Sequence, residues 1–219
     1  MVDLIHGLTA ADVRANLDRV TERLVDAGRD PAEVQILAAV KYLPEPELDA
    51  LFEGGVTLAG ENRAQDLADK APKHPRFTWD FIGQLQSRKV PAVLPYVRYI
   101  HSVASDSALA QLAKHGTAET QVLIEVNVAG EEAKSGIVPA ELGDFIARCP
   151  VTVVGLMTMP PFTSDPEDSR RHFARLAELA GEHGLRELSM GTSQDYAVAA
   201  QEGATIIRLG STLFAPQPA

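Results

Sequence analysis

The sequence predicts an α/β protein: a single (β/α)8 TIM barrel with an extra N-terminal helix. Three observations predict it. Short apolar runs rich in β-branched residues recur along all 219 residues, longer amphipathic stretches separate them, and the runs number eight. Strand–helix repeats with crossovers of a dozen or more residues require parallel strands with helices laid over the sheet. Eight such units favour closure into a ring, which about 200 to 250 residues can build. The alternative, an open doubly wound sheet, has no reason to stop at eight strands.

The elements follow in order. TAADVRANLDRVTERLVDAG (9–28) reads as a helix ahead of the first strand. VQILAAVK (34–41) leads into PEPELDALFEGG, VTLAG (56–60) into ENRAQDLADKA, and TWDFIG (78–83) into SRKVPAVLPYV. This last helical stretch is the weakest pattern, because Pro91 and Pro95 each remove a backbone donor. VRYIHS (97–102) precedes SDSALAQLAKHG, QVLIEVNV (121–128) precedes PAELGDFIARC, and VTVVGLMT (151–158) precedes DSRRHFARLAELAGEHG. RELSM (186–190) leads into SQDYAVAAQEG, and TIIRLG (205–210) closes the series. Several helical stretches carry a polar N-cap and a glycine near the end, the usual start and stop signals. No composition break or Gly/Ser linker interrupts the chain, so residues 1–219 read as one domain.

Composition narrows the function. A chain that is 45% hydrophobic can bury a substantial core. Twenty Lys+Arg against thirty Asp+Glu give a formal charge of -10, which repels polyphosphate backbones and argues against nucleic acid as a principal partner. An anionic ligand must therefore be held by local groups. The lone cysteine, Cys149, has no disulfide partner, no Cys/His spacing suggests zinc, and a buried, inert thiol is expected. The opening MVDLIHGLTAADVRANL carries acids and no long apolar run, so neither a signal peptide nor a membrane anchor is expected, and a cytoplasmic location is. No heptad pattern stands out, so the expected state is a monomer.

In a barrel the C-terminal strand ends meet around one mouth. Here they read Lys41, Gly60-Glu61-Asn62, Gly83-Gln84, His101-Ser102, Asn127, Met157-Thr158, Met190-Gly191-Thr192-Ser193 and Arg208-Leu209-Gly210-Ser211. Strand side chains alternate between faces. Val34, Ile36, Ala38 and Val40 form an all-apolar set suited to the helices, which turns Lys41 inward; likewise Ile207 and Leu209 face out and Arg208 in. Closure makes the first and last strands neighbours, so two cations share one mouth. Their proximity and partial desolvation are expected to depress the lysine pKa and raise its free-amine fraction.

MGTSQD (190–195) and LGSTLF (209–214) carry the last two strands into short helices, exposing backbone N–H groups and the hydroxyls of Thr192, Ser193, Ser211 and Thr212. Helix N-termini hold phosphate, and barrels usually place their phosphate site in the loops after strands 7 and 8. An amine, an arginine and a phosphate cradle in one mouth describe a site for pyridoxal 5'-phosphate (PLP), held by a Schiff base. Other features have plainer readings. Met157 and Met159, with Pro160 and Pro161, suit packing and loop stiffening; Asn62 could cap the following helix; His101 takes no assigned role. GEEAKSG (130–136) lacks the second glycine a phosphate-binding Walker loop places before its lysine.

The ordered set AAVKYLP, GENRAQD, WDFIGQLQSRK, IHSVAS, EVNVAGEEAKSGI, GLMTMPP, LSMGTSQD and RLGSTLF covers almost the whole chain. It resembles the PLP homeostasis protein family, also called the PLP-binding or proline-synthase-associated family, related to the N-terminal barrel of alanine racemase. The resemblance implies a fold-type III PLP barrel in which Lys41 forms the Schiff base and Arg208 faces the pyridine nitrogen. It further implies that Ser193, Gly210 and Ser211 take the phosphate and that Asn62 lies near the cofactor. Tyr42, Thr192 and Ala215 depart from the family's common threonine, methionine and phenylalanine-glycine. The implied role is an intracellular PLP carrier or buffer that serves apo-enzymes, with no catalytic or metal residues of its own. Two readings stay open beside it: a small PLP-dependent racemase or lyase with Tyr196 or His101 as base, and a cofactor-free interaction module.

Overall fold

The computed structural model describes residues 4–130 and 135–216, so most of the Walker-like stretch, residues 131–134, lies outside the described residues. Eight parallel strands among these residues close into a barrel in sequence order. They are β1 Gln35–Ala39, β2 Leu58–Glu61, β3 Thr78–Phe81, β4 Tyr99–Val103, β5 Gln121–Glu125, β6 Thr152–Met157, β7 Glu187–Thr192 and β8 Ile206–Leu209. Each overlaps one of the eight predicted runs, with β2 and β4 continuing one residue and β7 two residues past the predicted end. The ring closes where β1 meets β8, with Gln35 opposite Ile206 and Leu37 opposite Arg208.

The helices are α1 Ala10–Asp26, α2 Leu48–Glu53, α3 Ala64–Lys70, α4 Val90–Val93, α5 Asp106–His115, α6 Leu142–Arg148, α7 Arg170–Glu182, α8 Tyr196–Gln201 and α9 Ser211–Phe214. Around Pro91 and Pro95 the predicted helix breaks into 3-10 turns flanking the one-turn α4. Helix α1 starts where Thr9, in extended conformation, accepts the Asp12 amide on its hydroxyl, with an acid in the first turn and Arg23 in the last. Val13, Val20 and Leu24 form its buried stripe.

That stripe decides where α1 goes. The helix following β8 is only the four residues of α9, too short to cover the β8–β1 junction. Helix α1 covers it instead, packing against α9, α2 and α8. Buried Asn16 joins the two chain ends, its Nδ2 donating to Leu213 O and Ala215 O, each at 2.9 Å. The extra N-terminal helix thus does the work of an eighth outer helix.

Alternation divides the core in two. Ala38, Val40, Ile207 and Leu209 join the large apolar layer between strands and helices, whereas Leu37, Leu58 and Ile206 form a small cluster inside the barrel. Much of the barrel interior is polar, with Asp80, His101, Ser189 and Arg208 all buried. Cys149, expected to be buried, lies at the surface edge of the outer layer and is only half-buried.

Replacing Asn16 by Ala strands two carbonyls at the chain junction and is expected to lower unfolding stability by about 1–3 kcal/mol. Denaturant melts of Asn16→Ala and wild type measure this difference.

Candidate functional site

The strand C-termini surround one cavity of about 840 Å³, lined by Lys41, Asn62, Ser193, Arg208, Gly210 and Ser211 together. All six residues singled out in the sequence therefore meet. The joining of β1 to β8 brings the lysine and arginine to the same wall.

Lys41 sits differently from expectation. Strand β1 stops at Ala39, and Lys41 lies in the turn beyond it, exposed at the rim, with Nζ 4.7 Å from the centre of the Tyr42 ring. The partial desolvation inferred from strand alternation does not hold, because the strand ends two residues before the lysine. What fixes this turn is a second lysine. Buried Lys70 donates to Val40 O at 2.9 Å, to Leu43 O at 2.8 Å and to Glu61 Oε1 at 2.5 Å, so one ammonium grips the backbone on both sides of Lys41. The other Glu61 oxygen accepts the Asn62 amide at 2.9 Å, tying the β2 end to the same clamp. Gly83 permits a further close approach: a Cβ there would stand 2.0 Å from the Asn62 carbonyl oxygen. The Asn62 side-chain Oδ1 is left buried with no hydrogen-bond donor.

Arg208 is the buried cation, 5% exposed. Its guanidinium donates to Ser189 O and Ser189 Oγ, each at 2.6 Å, and to Thr158 O at 2.9 Å. Burial pushes its pKa down to about 10, opposed by the charges of Asp195 and Glu125, and it stays a cation at neutral pH. Below it runs a continuous polar chain. His101 Nδ1 lies 2.8 Å from Ser189 Oγ and Nε2 3.1 Å from Asp80 Oδ2; Arg98 grips both Asp80 oxygens at 3.1 and 2.7 Å. Burial would raise the Asp80 carboxyl, but His101 and Arg98 outweigh it and hold it below the ordinary range. Burial pushes His101 down, with Asp80 opposing only in part. An ionised Asp80 and a neutral His101 fix every proton: Nε2–H donates to Asp80, Nδ1 accepts from the Ser189 hydroxyl, and Ser189 Oγ accepts from Arg208.

The two glycine turns follow β7 and β8, on the same side of the mouth as Arg208. Ser193 Oγ accepts the amides of Gly210 and Thr212, both at 3.3 Å. Gly191 adopts φ +89°, and a Cβ there would meet Ala199 Cβ at 2.6 Å. Asp195 then locks the turn, its Oδ1 accepting Thr192 N at 2.7 Å and Thr192 Oγ1 at 3.1 Å. Helices α8 and α9 have six and four residues. Their aligned dipoles are correspondingly small, so convergent N–H and O–H groups, more than the macrodipole expected from the sequence, are what these turns offer an anion.

Neither residue considered as a base lines the cavity: His101 is sealed beneath Arg208, and Tyr196 is half-buried with its hydroxyl raised by burial. Met159, expected to pack, is 52% exposed on the rim. Sequence reasoning missed the Lys70–Glu61 clamp, the Asp80–His101–Ser189 chain and the inward carboxylate of Glu125; alternation along β3, β4, β5 and β7 carries the signal for the last two.

His101 sets a pH dependence. Its folded pKa lies below the unfolded value of about 6.5, so acidification protonates the unfolded chain first and destabilises the fold. Stability is expected to fall below pH about 6.5 by up to about 1.4 kcal/mol per pH unit from this one proton. Urea melts between pH 7.5 and 5 should show a shallower slope for His101→Gln.

Residues 11–218 match the family described as alanine racemase, N-terminal domain. A pyridoxal phosphate homeostasis protein of Aquifex aeolicus (strain VF5) is 38% identical over 213 residues, covering 90% of this chain and 93% of that protein. Among solved structures, an unknown protein from Bifidobacterium adolescentis superposes with a TM-score of 0.85 at 31% identity, covering 97% and 98% of the two chains. PipY of Synechococcus elongatus PCC7942, solved with PLP bound, gives a TM-score of 0.74 at 30% identity, covering 89% of this chain and 99% of that one. With its cavity at the mouth of an eight-stranded ring, the chain belongs to the alanine racemase N-terminal domain family and, within it, to the pyridoxal phosphate homeostasis proteins.

Proposed function

We propose that this chain, acting as one domain, binds PLP in the barrel-mouth cavity and serves as an intracellular carrier or buffer of it. The observation that carries the reading is the meeting of Lys41, Arg208 and the Ser193–Gly210–Ser211 turns on one cavity. PLP supplies an electrophilic aldehyde. Lys41 Nζ, at the rim and joined to a clamped turn, is the amine that takes this aldehyde as a Schiff base. Arg208 stands as the donor to the pyridine nitrogen. Ser193 Oγ and the Gly210 and Thr212 amides, with Ser211 beside them, take the phosphate. Asn62 Oδ1, an acceptor lacking a donor, suits a hydroxyl of the ligand.

The same residues favour holding over turnover. A cationic donor at the pyridine nitrogen disfavours its protonation and weakens the ring as an electron sink. The chain beneath Arg208 keeps that donor charged and oriented: Ser189 Oγ accepts from the guanidinium, and its own proton is committed to His101. The two groups weighed as racemase or lyase bases, His101 and Tyr196, stand away from the cavity wall. The proposed setting is the cytoplasm, the state a monomer, and the partners apo PLP-dependent enzymes; no helix among the described residues is long and apolar enough to cross a membrane.

Wild-type protein mixed with PLP is expected to develop the visible absorption of a lysine-bound aldehyde, and Lys41→Ala is expected to lack it. An unchanged spectrum in Lys41→Ala would reject the assignment. Ser193→Ala should retain PLP about tenfold more weakly, the effect of one charge-assisted hydrogen bond of about 1.5 kcal/mol, as read by equilibrium dialysis. Transfer to an apo-enzyme faster than release into buffer would establish delivery, and equal rates would leave storage alone.

A further inference from the structure

The free Lys41 ammonium has a resting place of its own. Its Nζ stands 4.7 Å from the centre of the Tyr42 ring, and no ion pair among the described residues engages it. An ammonium over the face of an aromatic ring is held by the ring quadrupole, strongly enough to bias a mobile side chain even at an exposed site. Neighbours in a strand point to opposite faces, so this contact depends on β1 ending at Ala39. Leu43 N then closes on Val40 O at 3.1 Å, and the turn lets two consecutive side chains meet.

Backbone contacts hold the ring where it is. The Tyr42 carbonyl accepts the Ile5 amide at 3.0 Å, while the carbonyls of Val40 and Leu43 accept Lys70. The Ile5 segment is itself anchored by Glu47, whose two oxygens accept Gly7 N at 3.0 Å and Leu8 N at 2.9 Å. Tyr42 and Ile5 both line the cavity, and Tyr42 is half-buried beside the exposed lysine. A fixed ring therefore sits next to a movable amine.

We propose that Tyr42 is a positioning residue: its ring parks the free Lys41 ammonium at the rim, and the contact given up when Lys41 turns inward makes the lysine-bound state of the cofactor easier to leave. The inference rests on the PLP reading above. To take the aldehyde, Lys41 yields its proton to solvent and leaves the ring, and a C=N bond to Nζ forms as the aldehyde oxygen departs in water. Release reverses each change: water adds, the bond to Nζ breaks, and the amine takes up a proton and returns to the ring. A ring attraction of the size usual at an exposed site moves this balance toward release by about two- to fivefold. Tyr42 thus favours release, where an aromatic ring that only packed against a ligand would favour retention.

Absorbance titration of the full-length protein with PLP reads the balance in wild type, Tyr42→Leu, Tyr42→Phe and Tyr42→Trp. Tyr42→Leu, which has no ring, is expected to reach half its lysine-bound absorption at about two- to fivefold less PLP than wild type. Tyr42→Phe, which keeps the ring, should restore the wild-type midpoint, and Tyr42→Trp, the strongest ring for a cation, should need more PLP. Unchanged or weaker binding in Tyr42→Leu would overturn the proposal. In a Lys41→Ala background, equilibrium dialysis should show no gain from Tyr42→Leu, because the amine is gone; an equal gain there would place the effect in the cavity and overturn the role toward Lys41. Failure of the wild type to develop the absorption would instead sink the PLP reading. The parked amine is then read without cofactor by proton NMR: the Lys41 ε-methylene signal, identified by its loss in Lys41→Ala, should move downfield in Tyr42→Leu as the ring current is removed and stay in place in Tyr42→Phe. No movement in Tyr42→Leu would overturn the proposal on its own.

Discussion

Burying the guanidinium of Arg208 inside the barrel is the constraint to which the rest of the site is fitted. A cation removed from water costs several kcal/mol unless its donors are met by acceptors in good geometry. Two backbone carbonyls and the Ser189 hydroxyl meet them, and these come from β7 and the end of β6. The Ser189 hydroxyl can accept in the right direction only if its proton goes elsewhere, which calls for a neutral His101. His101 in turn needs Asp80, and Asp80 needs Arg98. One buried charge thus propagates a polar chain across the barrel, and the apolar filling there shrinks to the small cluster of Leu37, Leu58 and Ile206. Hydrophobic stabilisation falls to the outer layer, where strands meet helices and apolar side chains are many.

The two cations of the cavity are handled in opposite ways. Arg208 is fixed through its own side chain and withdrawn from solvent. Lys41 keeps an exposed side chain, resting only over the Tyr42 ring, and the structure fixes the neighbouring backbone instead, through Lys70 on the carbonyls of Val40 and Leu43. That difference suits their chemistry. A guanidinium works as an oriented donor and loses nothing by being held, whereas an amine that must add to an aldehyde and later let go needs rotational freedom and access. Lys70 spends all three of its donors on the protein, so its buried ammonium organises the turn without competing for the ligand.

Much of this was legible from residue order alone. All eight strands, the cluster of strand-end residues and the closure that joins Lys41 to Arg208 followed from period-two runs and parallel connectivity. Alternation correctly sorted β1 and β8, because each has one wholly apolar face. It could have done the same for β4, where Tyr99 and His101 share a face, and for β5, where Leu123 and Glu125 do. The place where a strand stops was not legible: pairing with β2 and the pull of Lys70 end β1 at Ala39 and lift Lys41 to the rim. Nor was the position of α1, which depends on α9 being too short to cover the β8–β1 junction.

Net charge adds a last step. At -10 the chain repels anions at long range, and salt screens that repulsion beyond about 10 Å. An anion therefore gains its attraction only inside the mouth, from groups within hydrogen-bond reach: the amides and hydroxyls of the two turns, with Arg208 and Lys41 beside them. Contacts of that range select for shape as well as charge, since a donor set built from Ser193, Gly210 and Thr212 has a fixed spread. The same short range lets a carboxylate such as Glu125 share the cavity with a phosphate site. Opposite preferences within one cavity can coexist where each is written in directed hydrogen bonds, and they would cancel if the cavity worked only through its overall field.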